Sequence, residues 1–329
     1  MALKIFKSGR AALESVRGTD LTPTRILYFS EAVAQQEVAT IRPELLRGSY
    51  FGFLSAGAGT ETNTVEMSGL VSYDDLPWLA NTHIKAVASA TGGAADKTWA
   101  FVPTAGSDDI KSATIQLGYS DLLAAGQPAM KLNYCLGDEL TLGWDKTGDG
   151  AITYSSKMVV PKASAQISAF TGSLSDRTLV LPSSNATTVY IDSATIGSTA
   201  DSYWTDLTWT LSNGYKNLFT LNNTTAAIAT FRPGARNWKL EGSRYYQSVT
   251  EWNAYIAKTV RKVRIYTRGA ALGGSYYSIT LDLYGVYTGM SWDEKDDMGF
   301  QKFTLEPVYD TTATTDFSLT VVNADASIT

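Results

Sequence analysis

The sequence predicts a mostly β protein made of two similar tandem domains, each with one short helix and long hairpins. The first observation behind this is a strand–turn–strand frame that occurs twice, at Leu132 to Pro161 (LNYCLGDELTLGWDKTGDGAITYSSKMVVP) and at Leu281 to Val308 (LDLYGVYTGMSWDEKDDMGFQKFTLEPV). Gly137 matches Gly285 and Trp144-Asp145 matches Trp292-Asp293, both at an offset of 148 residues (285 − 137 and 292 − 144), and Asp149 falls opposite Asp297. The two tryptophans are therefore expected to superpose. The second observation is a pair of short helix signals, each with a tryptophan near its start, in YDDLPWL and SVTEWNAYIAK. The third is length: 329 residues allow two domains of about 150 residues, each large enough to bury its own core. The junction falls in the Ser/Thr/Ala/Gly-rich stretch Lys162 to Thr205, giving domains 1–162 and 163–329.

Each element has a local reason. Met1 to Pro23 reads as an extended arm, its charges alternating with small residues and Gly9 and Gly18 breaking any helix. Arg25 to Phe29 (RILYF) is a short strand, and Glu31 to Ala39 is polar and ambiguous, compatible with a helical turn. Pro43 to Glu66 reads as a hairpin, with Tyr50, Phe51 and Phe53 on one strand, a loop at Ser55 to Thr60 and alternation from Thr62 to Met67. Ser72 and Asp75 have capping-box spacing and Pro77 suits a first turn, so a helix over about 74–82 buries Leu76, Trp78 and Leu79. Trp99 to Pro103 and Ser112 to Leu117 are strands. In the second half, Thr188 to Asp192 (TVYID) is a strand placed like Arg25 to Phe29. Leu207 to Leu211 and Leu218 to Phe231 form a second hairpin around the Asn213-Gly214 turn signal. Ser248 and Glu251 make a capping box, with Trp252, Tyr255, Ile256, Thr259 and Val260 on one helical face and Lys258 and Arg261 at the end that favours cations. In the closing hairpin Leu281, Leu283 and Val286 are the apolar positions going up, and Phe300, Phe303, Leu305 and Val308 those coming down. Gly285 interrupts the alternation and suits a bulge or a close backbone approach.

Composition narrows the function. A net charge of −5 argues against a sequence-independent DNA-binding surface, which needs a basic excess. Cys135 is the only cysteine, so no intrachain disulfide forms; the chain folds in a reducing cytoplasm or cannot use disulfides. No apolar run is long enough to span a membrane, and Met1 to Gly18 lacks the apolar core of a signal peptide.

No pattern of chemistry-bearing residues is complete. Asp145-x-Thr147-x-Asp149-Gly150 begins like a calcium loop, but the twelfth position is Ser156 rather than Glu and strands flank it. Asp293, Glu294, Asp296 and Asp297 cluster without a nearby His or Cys, as a solvated hairpin tip does. Gly57-x-Gly59 lacks the third glycine and the helix of a dinucleotide site. His83, the only histidine, would need a serine and an acid that the sequence does not position for a triad; a helix-end histidine is the simpler account. Asn185 and Asn222 open glycosylation sequons by pattern only. The expectation is no enzyme, and no catalytic, cofactor or metal site.

The order of elements resembles the tail tube proteins of long-tailed bacteriophages. The residues that carry the resemblance are the helix SVTEWNAYIAK, the strand VRIYTRGA, YYSITLDLYGVY and WDEKDDMGFQKFTLEPVYD, with RGSYFGF, a Gly-rich loop and YDDLPWL in the first half; together they span most of residues 24–310. The resemblance implies two tandem β-sandwich or open-barrel domains, each with a flanking helix. It also implies a virion protein assembled in the host cytoplasm, whose stacked rings line a channel for genome DNA. Six domains per ring would make a homotrimer with pseudo-sixfold symmetry, the hexamer being the alternative. The tape measure protein and phage DNA would occupy the lumen, and other tail proteins the tube ends. The lumen would be net acidic, with hairpins around Pro43 to Met67 and Leu207 to Phe231 in the inner wall and the segments Met1 to Pro23 or Lys162 to Thr205 reaching a neighbour. A second reading, favoured by 18 Tyr and 8 Trp, is an adhesin-like or carbohydrate-binding β-sandwich; a glycosidase is a third.

Overall fold

The computed structural model describes residues 8–41, 57–104, 110–118, 129–146, 149–161, 165–167, 170–171, 174–221, 226–295 and 298–328, and they are mostly β. The first half runs β1 (Ser8–Leu13), β2 (Arg25–Leu27), β3 (Glu31–Ile41), β4 (Gly57–Leu70), α1 (Leu76–His83), β5 (Thr91–Gly92), β6 (Lys97–Phe101), β7 (Ala113–Gly118), β8 (Ala129–Asp145), β9 (Thr153–Val160) and β10 (Ala165–Ile167). The second runs β11 (Thr187–Asp192), β12 (Ala200–Asp201), β13 (Trp204–Ser212), β14 (Lys216–Leu218), β15 (Ala229–Phe231), β16 (Asn237–Tyr245), α2 (Thr250–Ala257), β17 (Arg261–Leu272), β18 (Ser275–Lys295), β19 (Met298–Pro307) and β20 (Phe317–Asn323).

One strand order occurs twice. The first half pairs β3-β4-β9-β8-β7-β1 and the second β13-β16-β19-β18-β17-β11, antiparallel throughout. In both, the helix follows the second strand of this order. A bulge interrupts each closing hairpin, between Gly137 and Glu139 in one and between Tyr287 and Gly289 in the other. Aligned on the bulges, the copies are offset by 150 residues (289 − 139) rather than 148, so Trp292 corresponds to Leu142, not Trp144. The tryptophans do not superpose, because a ladder register is set by its bulge and pairing partners, which a shared Trp-Asp dipeptide does not encode. Gly285 is the close approach rather than the bulge: a Cβ there would lie 2.3 Å from the Glu306 carbonyl oxygen.

Several local expectations yield to long-range pairing. Ser8–Leu13 is no free arm but a sheet strand, with Ala11 and Ala12 buried against β7. It, and not Arg25 to Phe29, holds the place of Thr187–Asp192, since β1 pairs β7 as β11 pairs β17. Glu31–Ile41 is an extended strand along β4, because a full ladder of backbone bonds outweighs the weak local preference of a polar stretch. Gly57 to Thr60 belongs to β4 rather than to a loop; Tyr50, Phe51 and Phe53 lie outside the described residues. β13 pairs β16 instead of residues 218–231; β14 and β15, at the two ends of that stretch, pair with each other. Gly214 has φ +65, and Asn213 is drawn inward, its amide donating to the carbonyls of His83 and Gly137 at 2.8 Å each.

The helices differ. In α1, Ser72 Oγ accepts the Asp75 amide at 2.9 Å, Pro77 occupies the first turn, and Leu76, Trp78 and Leu79 are buried as expected. α2 ends at Lys258, which sits in the left-handed region (φ 52), so Thr259 and Val260 are not helical. Its buried residues are Glu251 and Ala254, whereas Ile256 is 64% exposed. Glu251 closes no capping box: its carboxylate accepts Arg261 at 2.9 Å and the Tyr287 hydroxyl at 2.8 Å.

The halves share one connected apolar core rather than burying two. β8 bends at Tyr134 (φ 65); its first part lies between β7 and β10 and its second between β9 and β13. β20 sits between β18 and β6, tying the end of the second half to the first. The intervening stretch also packs on its own chain, with Arg177 reaching Asp75 at 2.6 Å and its amide donating to the Tyr28 hydroxyl at 2.8 Å.

Candidate functional site

The surface that stands out is one face of a continuous eight-stranded sheet, β3-β4-β9-β8-β13-β16-β19-β18. The alternation that buries Val65, Met67, Leu140, Leu142, Met158, Trp209, Leu211 and Leu240 on one side puts a band of Ser, Thr and charged residues on the other. Carboxylates outnumber lysines there: Glu66, Glu139, Asp145, Asp206, Glu241 and Glu306 against Lys157, Lys239 and Lys302. The lysines are held by neighbours, Lys157 by Glu66 at 3.1 Å, Lys239 by Glu241 at 2.9 Å and Lys302 by Asp293 at 2.5 Å. Hydrogen bonding to Glu66 raises the Lys157 pKa, and hydrogen bonding to Lys302 lowers that of Asp293. Such a face presents charge to solvent without a basic run that would grip phosphate.

The two ends of this sheet are open among the described residues. Among the described residues, β3 has no strand partner besides β4, and β18 from Gly289 onward has none besides β19. The equivalent flank of β8 is covered within the chain, where β13 pairs it from Glu139↔Ser212 to Asp145↔Asp206. Beside the open flank of β18 lies an apolar patch. Trp292 is 48% exposed and stacks edge-on with Tyr246 at 4.6 Å and tilted with Trp252 at 5.6 Å. Val249, Ile256 and Met298 are exposed as well. Sequence reasoning missed both features. The β-branched Val33, Val38, Thr40 and Ile41 were the available signal for β3; for Trp292 the sequence reading gave only a match to Trp144, which is buried.

The residues weighed for chemistry scatter. Asp149 accepts the Ala151 amide at 3.0 Å in a turn, and Thr147, Asp296 and Asp297 lie outside the described residues. Asp293 is engaged by Lys302 and by the Glu294 amide. Among the described residues no three His, Cys, Asp or Glu side chains group as a metal site would. Asn185 lies in a short turn, and Asn222 is outside the described residues. His83 does meet a serine: Nε2 is 3.1 Å from Ser156 Oγ. Its Nδ1, however, faces the Leu79 carbonyl at 2.9 Å and Thr82 Oγ1 at 3.0 Å, with no carboxylate in its hydrogen-bond shell, and both His83 and Ser156 are fully buried. Burial pulls the His83 pKa down to about 4, which keeps the ring neutral. The fit is that of a packed core residue. Cys135 is buried too, and burial raises its pKa well above the usual range. No described helix is long and apolar enough to cross a membrane.

No protein-family model matches the chain, and no curated protein is significantly similar to it.

Proposed function

We propose that this chain is a self-assembling tube subunit, the repeating unit of a phage tail tube through which genome DNA passes. The observation that carries the reading is the eight-stranded sheet: one four-strand unit used twice, joined edge to edge inside the chain, with the outer edge of β3, and that of β18 from Gly289 onward, unpaired among the described residues. A long open-edged sheet is an aggregation hazard in a monomer, and closure into a ring removes the edges. Joining copies head to tail by the contact that joins the halves makes a closed ring if the rotation permits. Three copies would supply about 24 strands, well above the number at which a barrel encloses an aqueous channel. The polar, net acidic face is the side suited to a lumen, because like charge lets a polyanion slide without adhering.

The test is electron microscopy of the concentrated protein. Tubes with three chains per ring and pseudo-sixfold symmetry are expected, binding duplex DNA weakly at physiological salt. Six chains per ring would remove the trimer but leave the tube; a chain that stays monomeric at high concentration would overturn the reading. The aromatic patch at Trp292, Tyr246 and Trp252 favours a second reading, a carbohydrate-binding module, which predicts saturable glycan binding by a monomer.

A further inference from the structure

The internal repeat specifies how two copies of the chain would meet, residue by residue. Inside the chain the flank of β8 takes β13 in the register Thr141↔Thr210, Leu142↔Trp209 and Gly143↔Thr208. The bulges set β8 and β18 at an offset of 150. Following the ladders outward from Gly137 and Tyr287, Met158 answers Leu305, Val65 answers Leu240 and Ala34 answers Trp209, which sets β3 and β13 at an offset of 175 (209 − 34). The helices, Leu76–His83 and Thr250–Ala257, keep nearly the same spacing, at an offset of 174 (250 − 76). The covered flank of β8 therefore has its counterpart in the open flank of β18, and β13 has its counterpart in β3.

We infer that the open flank of β18, from Gly289 to Asp293, takes β3 of a second copy, antiparallel, with Ser291 opposite Gln35, Trp292 opposite Ala34 and Asp293 opposite Val33. This rests on the assembly reading above and adds the partner surface and its register. Side-chain volume supports it independently. Within the chain the bulk is on β13, where buried Trp209 lies beside Leu142. Between copies it changes sides: the exposed Trp292 stands in the place of Leu142, and the small Ala34 in the place of Trp209. A large residue thus meets a small one at the same ladder position both times. Trp292, backed by Tyr246 and Trp252, is the anchor, of the aromatic kind that dominates protein interfaces.

Cross-linking reads the register directly. With Cys135→Ser as background, the pair Ser291→Cys and Gln35→Cys is expected to give interchain disulfides on oxidation, closing to a covalent ring. The pair Ser291→Cys and Val33→Cys, displaced by two positions, is expected to give none. Ala34→Trp alone should block assembly, and Trp292→Leu added to it should restore assembly, because the pair then matches the internal one. Trp292→Glu should leave the folded monomer intact and raise the assembly concentration more than about 30-fold, as loss of an interface anchor does. Tubes in which only the displaced pair cross-links, or which tolerate Trp292→Glu, would overturn the register while leaving the tube. A wild-type chain that never assembles would overturn both.

Discussion

The two copies make the same helix-on-strand contact with opposite chemistry. In the first, α1 ends in His83, whose ring occupies the space above Gly137; a Cβ on that glycine would lie 2.4 Å from the ring. In the second, Tyr287 stands at the position of Gly137, and α2 ends in Ala257, just before Lys258, where α1 ends in His83. The large side chain now comes from the sheet, and its hydroxyl donates to Glu251, which also pairs with Arg261. Lys258 is left at the surface, donating to the Tyr287 carbonyl at 2.9 Å. Burial, then the nearby Glu251 carboxylate, pushes the Tyr287 phenol well above its usual pKa. One volume is thus filled by a neutral core histidine in one copy and by a buried ionic network in the other. The chain conserves the volume and the backbone path, and leaves the chemistry free.

The sharpest way to break this comparison is to remove the carboxylate. Glu251→Ala strands Arg261 and the Tyr287 hydroxyl in a buried site and should cost about 3–5 kcal/mol, measured by denaturant midpoint. A loss below about 1 kcal/mol would mean that the network is solvated. Next is pH. The His83 pKa is pulled from 6.5 to about 4 by burial, so between these values the folded state holds fewer protons than the unfolded chain. Its contribution to stability falls as pH drops from 6.5 and is fully lost near 4, by roughly 3 kcal/mol. Asp74, raised to about 6 by burial, acts in the opposite sense, its protonation on acidification favouring the fold. The check is therefore the stability difference between wild type and His83→Met, which should shift against wild type through that window; a flat difference would refute a buried neutral ring. Gly137→Ala should cost about 1–3 kcal/mol by overpacking, and combination with His83→Ala should recover part of it. Smallest are the caps. Ser72→Ala removes bonds to the Asp75 amide and carboxylate, each at 2.9 Å, and should cost about 1 kcal/mol. Ser248→Ala removes only exposed contacts to Thr250, the hydroxyl at 3.1 Å and the amide at 3.4 Å, and should change thermal stability by less than about 0.5 kcal/mol.

The mostly β class, the two helices and the closing hairpins were legible because their signals are local: alternation, a serine before Pro77, a tryptophan in each first turn. The repeat was legible too, but in the wrong register, because the Trp-Asp dipeptide is conspicuous in the sequence and the bulge is not. β3 was not legible, since only the small Ala32 and Ala34 mark its core face, and they break a polar stretch too weakly to show the alternation. The burial of Glu251 was hidden because its partners, Arg261 and Tyr287, come from two later strands.

Taken alone, then, the sequence determined most of the extended segments other than β3, where the helices start, that the chain repeats itself and that its charge is acidic. These follow from periods of two and 3.6 residues and from capping chemistry, which act between near neighbours. Tertiary structure alone decided the ladder register, the choice of β16 over residues 218–231 as the partner of β13, and the union of the halves through β8–β13 and β6–β20. It also decided that the flank of one hairpin is covered while its twin is open. Pairing energy between strands far apart in the chain depends on which faces and edges remain unfilled once the core is packed, and no local pattern carries that information.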